Sequence, residues 1–354
     1  MNVKLSSKLF TLEFFAVILC CAAFGILNGG LKGKKENAVY GSTKAAAEFM
    51  MLKNEMGGVY LGSGGYLIPK LYYKDKDNFD AAANQKCFKD NLLALSSFAQ
   101  RSSYNLRMVL VPGPSTILKN RLPSLAPTLS DDEIYMTLSL RLGSFLDLHY
   151  PKGELVKHRG EYIYNKTDSR LTSLGAYYLY VSLGEVLNYA PKKLDEFTRE
   201  EVAKNYYGNL AGQSGWYFGK GDVLSVFTYK ETPAPKANIN ENITVPFYDY
   251  ESLKTKDKYN FYIGGENGFL QIRSNNGNNR TLNIVKNSYT DVLIPFLALE
   301  FDSINIFDID YYRHDKGMMF YMAGLDFTGK DFLILYDSNS LINDNKIYEI
   351  GYQS

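Results

Sequence analysis

The 354-residue chain is poor in the residues that staple folds or bind metals: three cysteines, three histidines and a single tryptophan, Trp216. Cys20 and Cys21 are adjacent within an apolar N-terminal stretch. Cys87 is therefore alone in the rest of the chain, which has no partner for a disulfide and gives no reading of redox compartment. His149, His158 and His314 are widely separated, and none stands in a metal-ligand spacing. There is no P-loop, no G-x-G-x-x-G fingerprint and no paired-cysteine motif, so no cofactor is expected. Charge of one sign is also missing. With 39 Lys and Arg against 38 Asp and Glu the net charge is +1, which excludes a broad basic surface for nucleic acid.

Apolar residues make up 45% of the chain, enough for a sizeable core, and tyrosine is abundant at 29 residues. Exposed tyrosine rings suit carbohydrate, but half-buried sheet positions are the ordinary place for most of them. At the N-terminus Lys4 and Lys8 precede an uncharged run from Phe14 to Leu27, and Lys32, Lys34 and Lys35 follow it. Adding Leu9 to Leu12 across Glu13 brings the run to the roughly 20 residues of a membrane span. We expect residues 1–35 to be an uncleaved signal anchor and linker and residues 36–354 an extracytoplasmic domain. The alternative is a secreted protein cleaved after Ala23-Phe24-Gly25.

Local signals divide the rest. Ser42 or Thr43 caps a helix predicted to run to about Met56, closed by Gly57-Gly58. A helix over about 80–100 feeds a strand over 107–111. Ser130-Asp131-Asp132-Glu133 is a capping box opening a helix to about Leu148, and Ser173 caps one from Leu174 to Leu187. Thr198-Arg199-Glu200-Glu201 reads as another capping box. Short strands are predicted over 223–264, a turn over 274–279, and buried strands over 304–309 and 332–336. This alternation predicts an α/β fold, a mostly parallel sheet flanked by helices, with a strand-rich insertion of about 205–280 at its edge. In such sheets functional loops gather at the strand C-terminal ends.

Two segments carry candidate chemistry. The first is Tyr164-Asn165-Lys166-Thr167-Asp168-Ser169-Arg170-Leu171-Thr172-Ser173-Leu174-Gly175-Ala176-Tyr177-Tyr178. The second is Leu282-Asn283-Ile284-Val285-Lys286-Asn287-Ser288-Tyr289-Thr290, an apolar strand ending on a small polar residue that opens a helix. Together they resemble the DHHW proteins of the SGNH-hydrolase superfamily, relatives of the alginate O-acetylation proteins. Members typically read T-D-H-H-W-T-S-L-G-A-Y-Y or T-D-S-H-W in the first segment and K-D-S-Y-A in the second. Val59-Tyr60-Leu61-Gly62 with Gly65-Tyr66-Leu67-Ile68 resembles the family's opening hairpin. Met108 to Pro112, Glu196-Phe197 and the Gly215 to Asp222 region follow its course.

The resemblance implies an SGNH-hydrolase-like fold, with Ser288 as nucleophile and Asp168 as the acid of a triad. Arg170 stands where the catalytic His belongs, Leu171 replaces the Trp, and Asn287 replaces an Asp. Arginine stays protonated and has no acceptor lone pair, so Arg170 cannot take a proton from serine. We expect it to pair with Asp168 and, with Asn287, to face substrate. His314 and Lys286 are the remaining candidates for a base.

The resemblance also implies a setting in cell-surface polysaccharide O-acetylation, beside a membrane-bound O-acyltransferase, with the catalytic step impaired. Two alternatives stand: an active O-acetyltransferase or acetylesterase using Ser288 with a non-standard base, or a non-catalytic carbohydrate-binding or scaffold protein of the envelope.

Overall fold

The computed structural model of the chain describes residues 16, 19, 35–72, 85–102, 105–229, 235–239, 243–263, 267–311, 327 and 329–351. His314 and all but two positions of the apolar N-terminal run lie outside them, and the expected anchor with them. Among the described residues no helix is long and apolar enough to cross a membrane.

Strands β4 (Leu106–Val111), β5 (Asp147–His149), β11 (Thr281–Lys286), β12 (Ser303–Asp308) and β13 (Asp331–Asp337) form a parallel array in the order β5-β4-β13-β11-β12. Three antiparallel strands continue it beyond β12: β10 (Phe269–Arg273), β8 (Lys236–Ile239) and β9 (Ile243–Val245). The result is a mixed eight-stranded sheet. The central strands are apolar almost without interruption because both faces are covered. In β13, Leu333 and Leu335 pack on the side of the Ser173–Val186 helix. Phe332, Ile334 and Tyr336 face the side of the Lys86–Arg101 and Asp131–Leu142 helices, as the two-residue period requires.

Several sequence expectations hold, and others need correction. Ser130 caps its helix, accepting from the Asp132 N–H at 3.2 Å, but that helix ends at Leu142 and β5 then takes over. Thr172 rather than Ser173 is the N-cap of the Ser173–Val186 helix, accepting from the Gly175 N–H at 3.2 Å. Ser42 is not a cap at all. It lies buried inside a helix spanning Lys35–Met50. Gly57 and Gly58, with φ of 60° and 80°, form instead the tight turn between β1 (Glu55–Met56) and β2 (Val59–Leu61). A pair of consecutive positive-φ residues suits a hairpin turn better than a helix end.

β2 then pairs with β3 (Leu67–Pro69), the hairpin the sequence suggested. The Thr198 capping box is overturned. Residues 198–201 belong to β6 (Phe197–Tyr206), which pairs antiparallel with β7 (Asp222–Tyr229) in a separate two-stranded ribbon. A capping box is a four-residue signal, and pairing along a ten-residue strand satisfies more backbone groups.

Burial accounts for many of the described tyrosines, including Tyr164, Tyr180, Tyr206, Tyr259 and Tyr262. Lys286, the last residue of β11, is fully buried between the carboxylates of Asp291 and Asp308. Burial alone would lower its pKa, but the two carboxylates override that and raise it. We predict that Lys286→Met lowers stability by about 3–5 kcal/mol, because it strands two buried carboxylates. A chemical denaturation midpoint unchanged from wild type would contradict this.

Candidate active site

The parallel strands β4, β11, β12 and β13 release their chains on one side, where they wall a cleft of about 310 Å³. Gly113 and Ser115 come from the end of β4, Asn287 and Ser288 from β11, Asp310 from β12, and Asp337 and Ser340 from β13. The Ser169-Arg170 loop, Asn209 and Asp257 complete the wall. A cleft outside the carboxyl ends of parallel strands is where ligands bind in open α/β sheets.

The loop carrying Asp168 is fixed at both ends and from below. An antiparallel bridge joins Tyr164 to Leu171, and the Asn165 amide donates to the carbonyls of Arg170 and Leu171 at 3.0 and 3.2 Å. Buried Asp222, at the start of β7, accepts from the N–H groups of Lys166 and Thr167 at 2.6 and 2.8 Å. Asp168 itself is fully buried. Arg170 grips it in a fork, Nε to Oδ1 and Nη2 to Oδ2, both 2.8 Å, and the Arg170 N–H adds a third contact at 2.9 Å. Tyr206 Oη and the Asn209 N–H also donate to Oδ2, at 2.7 and 3.0 Å. Gly208 makes this approach feasible: a Cβ there would lie 2.1 Å from Asp168 Oδ2.

Arg170 is nearly as buried as its partner. Its guanidinium stacks over the Tyr259 ring at 3.9 Å from the centroid, and Nη2 reaches Tyr206 Oη at 2.6 Å and Asp257 Oδ1 at 3.3 Å. Burial would raise the Asp168 pKa, yet the guanidinium and these hydrogen bonds hold it below the usual carboxylate range. The expected ion pair is present, and it engages both carboxylate oxygens of Asp168.

Ser288 lines the cleft at the start of a short 3-10 helix, Ser288–Leu293. Its Oγ donates to Asp310 Oδ2 at 2.8 Å, and its N–H donates to the same oxygen at 2.9 Å. Lys346 pairs with Asp310 Oδ1 at 2.8 Å. Against the effect of burial, Lys346 and Ser288 together keep Asp310 a low-pKa carboxylate. Asn287, buried, donates to Asp337 Oδ2 at 2.7 Å and to Ser340 Oγ at 3.1 Å, and its Oδ1 has no hydrogen-bond partner among the described residues.

Of the residues singled out in the sequence, Arg170, Asn287 and Ser288 line one cleft, and Asp168 lies directly behind Arg170. Lys286 does not reach the serine, being held by Asp291 and Asp308 as described. His158 is bound to Glu154 and Glu161 at the surface, at 3.4 and 2.7 Å. Sequence reasoning missed Asp310, Tyr206, Tyr259 and Asp257. Asp310 had a usable signal, because Asp308-Ile309-Asp310 closes an apolar strand just as Asn287-Ser288 does. The other three lie between residues 206 and 259 and carry no local signature.

The comparisons with known proteins agree with this architecture. Residues 146–307 match the family described as DHHW protein. A DHHW family protein from Eubacterium siraeum superposes with a TM-score of 0.65 at 20% identity, over 83% of this chain and 95% of that one. Bacillus cereus PatB1, solved with a sulfonyl adduct, superposes with a TM-score of 0.62 at 17% identity, over 83% and 98% of the two chains. These likenesses show a shared mixed α/β fold. No curated protein matched the chain.

We predict that Arg170→Gln destabilises the protein by about 3–5 kcal/mol at pH 7, since it leaves Asp168 buried without its cation. In the wild type the depressed Asp168 pKa contributes stability above its unfolded value of about 3.9, and this is lost as the pH falls through the folded value. In the variant the carboxyl is free to protonate. The difference should therefore shrink as the pH falls toward and below 4. Denaturation curves showing a gap constant from pH 7 to pH 4 would refute the assignment.

Proposed function

We propose, taking the DHHW match over residues 146–307 as premise, that this chain is a catalytically impaired member of a family tied to polysaccharide O-acetylation. In this reading it is anchored by its N-terminal apolar run and holds surface glycan outside the membrane, beside a membrane-bound O-acyltransferase that supplies acyl groups. The observation that carries the impairment is the fork of Arg170 on Asp168. Acyl transfer from serine needs a base that accepts the hydroxyl proton as the nucleophile attacks. Arg170 has no lone pair to offer, and its bulk excludes an imidazole from the carboxylate that would orient it. Asp310 adds a second obstacle. It occupies both the Ser288 hydroxyl and the Ser288 N–H, and its negative charge opposes an oxyanion developing beside it.

One observation favours the rival reading of an active enzyme. The 2.8 Å contact from Ser288 Oγ to Asp310 has the geometry of a nucleophile and its base. A carboxylate with a lowered pKa is nonetheless a weak base at neutral pH. The two readings separate in a simple assay. We expect wild type and Ser288→Ala to hydrolyse p-nitrophenyl acetate at the same low rate, since a missing base alone costs about 10² to 10⁴ in rate. Turnover lost in both Ser288→Ala and Asp310→Asn would establish the Ser288–Asp310 dyad instead. The double variant Arg170→His, Leu171→Trp should also stay inert, because Asn287 departs from the family pattern on the serine side and Asp310 holds the Ser288 hydroxyl. Turnover in that variant that vanishes when Ser288→Ala is added would show that only the base had been lost.

A further inference from the structure

The helix Lys35–Met50 ends in a run of apolar residues that the fold leaves in the open: Phe49 is 49% exposed, Met50 37%, Met51 67% and Leu52 88%. The chain leaves this helix through a Schellman turn. The Lys53 N–H donates to the Glu48 carbonyl at 3.1 Å, the Leu52 N–H donates to the Phe49 carbonyl at 2.9 Å, and Leu52 takes a φ of 61°. That left-handed position ordinarily goes to glycine or asparagine, and here a leucine holds it with its side chain in solvent. Trp216 and Phe218, both half-buried, extend the patch, the Trp216 ring centroid lying 5.0 Å from that of Phe49 and 4.7 Å from that of Phe218. Gly215 fixes the two segments together, since a Cβ there would lie 2.4 Å from the Gly41 carbonyl oxygen. The result is one continuous apolar ridge. Exposed Lys44, Lys53 and Lys220 flank it in the chain, and Glu48 beside it is already held by Lys53 at 3.1 Å.

We propose that this ridge docks on a lipid bilayer, the one that carries the chain's own N-terminal anchor. The inference rests on the anchored reading above and adds an orientation to it. Consecutive apolar side chains on an exposed turn are poorly placed in water and well placed in the acyl boundary of a membrane. A tryptophan beside them suits the headgroup level, and flanking lysines reach lipid phosphate there. The tether has the length to allow it. Residues 28–34 span at most about 25 Å when extended, and the 16-residue helix after them is about 24 Å long, so its far end can return to the surface. A second copy seated on the ridge would instead set lysine against lysine across a two-fold axis. The cleft is tied to the same surface. The Asn209–Ser214 helix gives Asn209, Leu210 and Gln213 to the cleft wall, the Gln213 amide donates to the Gly57 carbonyl at 2.8 Å, and Trp216 follows just beyond that helix. Docking through the ridge therefore holds the cleft beside the membrane.

The single tryptophan makes the ridge its own reporter. The test reconstitutes the full chain into phosphatidylcholine vesicles, with or without lipid brominated high on its acyl chains, and reads Trp216 fluorescence on material recovered by flotation. We expect brominated lipid to quench Trp216. The double variant Met51→Asp, Leu52→Asp changes two exposed side chains, and it should still float with the vesicles while losing the quenching. If that variant does not fold, quenching of the wild type by brominated lipid still decides. Wild-type chain that floats with its Trp216 emission untouched by bromine would overturn the inference and leave the anchor standing, and a mass of two chains alongside that result would make the ridge a subunit contact. Quenching that persists unchanged in the double variant would also overturn it. Wild-type chain that does not float at all would overturn both readings.

Discussion

The arrangement of the site depends on the ion pair between Arg170 and Asp168. A carboxylate buried as deeply as Asp168 must be paired or protonated, because the loss of hydration otherwise outweighs what the fold can return. Arg170 solves that problem with a two-pronged contact and two aromatic neighbours, Tyr206 and Tyr259. In doing so it ties three distant parts of the chain to one point: the 164–171 loop, the β6–β7 ribbon through Tyr206, and the 257–259 turn. An imidazole in the same place would give Asp168 a single neutral donor and leave its other oxygen to Tyr206 and the Asn209 N–H. The arginine thus strengthens the scaffold at the wall of the cleft.

Around that pair the polar groups of the cleft are held by fixed partners. The lysine nearest the serine in sequence, Lys286, is locked between two acids. The serine hydroxyl is held by a carboxylate that is itself held by Lys346. Each of these contacts satisfies a buried polar group and fixes it in place.

The sequence made the local features legible and left the distant ones hidden. The Thr167-Asp168-Ser169-Arg170 run and the Val285-Lys286-Asn287-Ser288 run are short, and their surroundings are dictated by a strand end and a helix start, so their placement could be anticipated. The parallel core was visible because strands such as 332–336 are apolar on both faces. Asp257, Tyr206 and Tyr259 reach Arg170 across a long span of chain, and no local pattern encodes such a meeting. The same limit explains the failed capping box at Thr198, where pairing with β7 outweighs a four-residue signal, and the misplaced cap at Ser42. Asp310 was the exception, a site residue within reach of the strand-end rule that Ser288 itself followed.

The central claim is that Ser288 is not an activated nucleophile. Intact-protein and peptide mass spectrometry after incubation with phenylmethylsulfonyl fluoride at neutral pH tests it directly, because sulfonylation requires the hydroxyl to give up its proton to a nearby base. The account predicts no sulfonyl group on Ser288 and identical spectra for wild type and Ser288→Ala. A stoichiometric sulfonyl adduct on the peptide carrying Ser288 would contradict it.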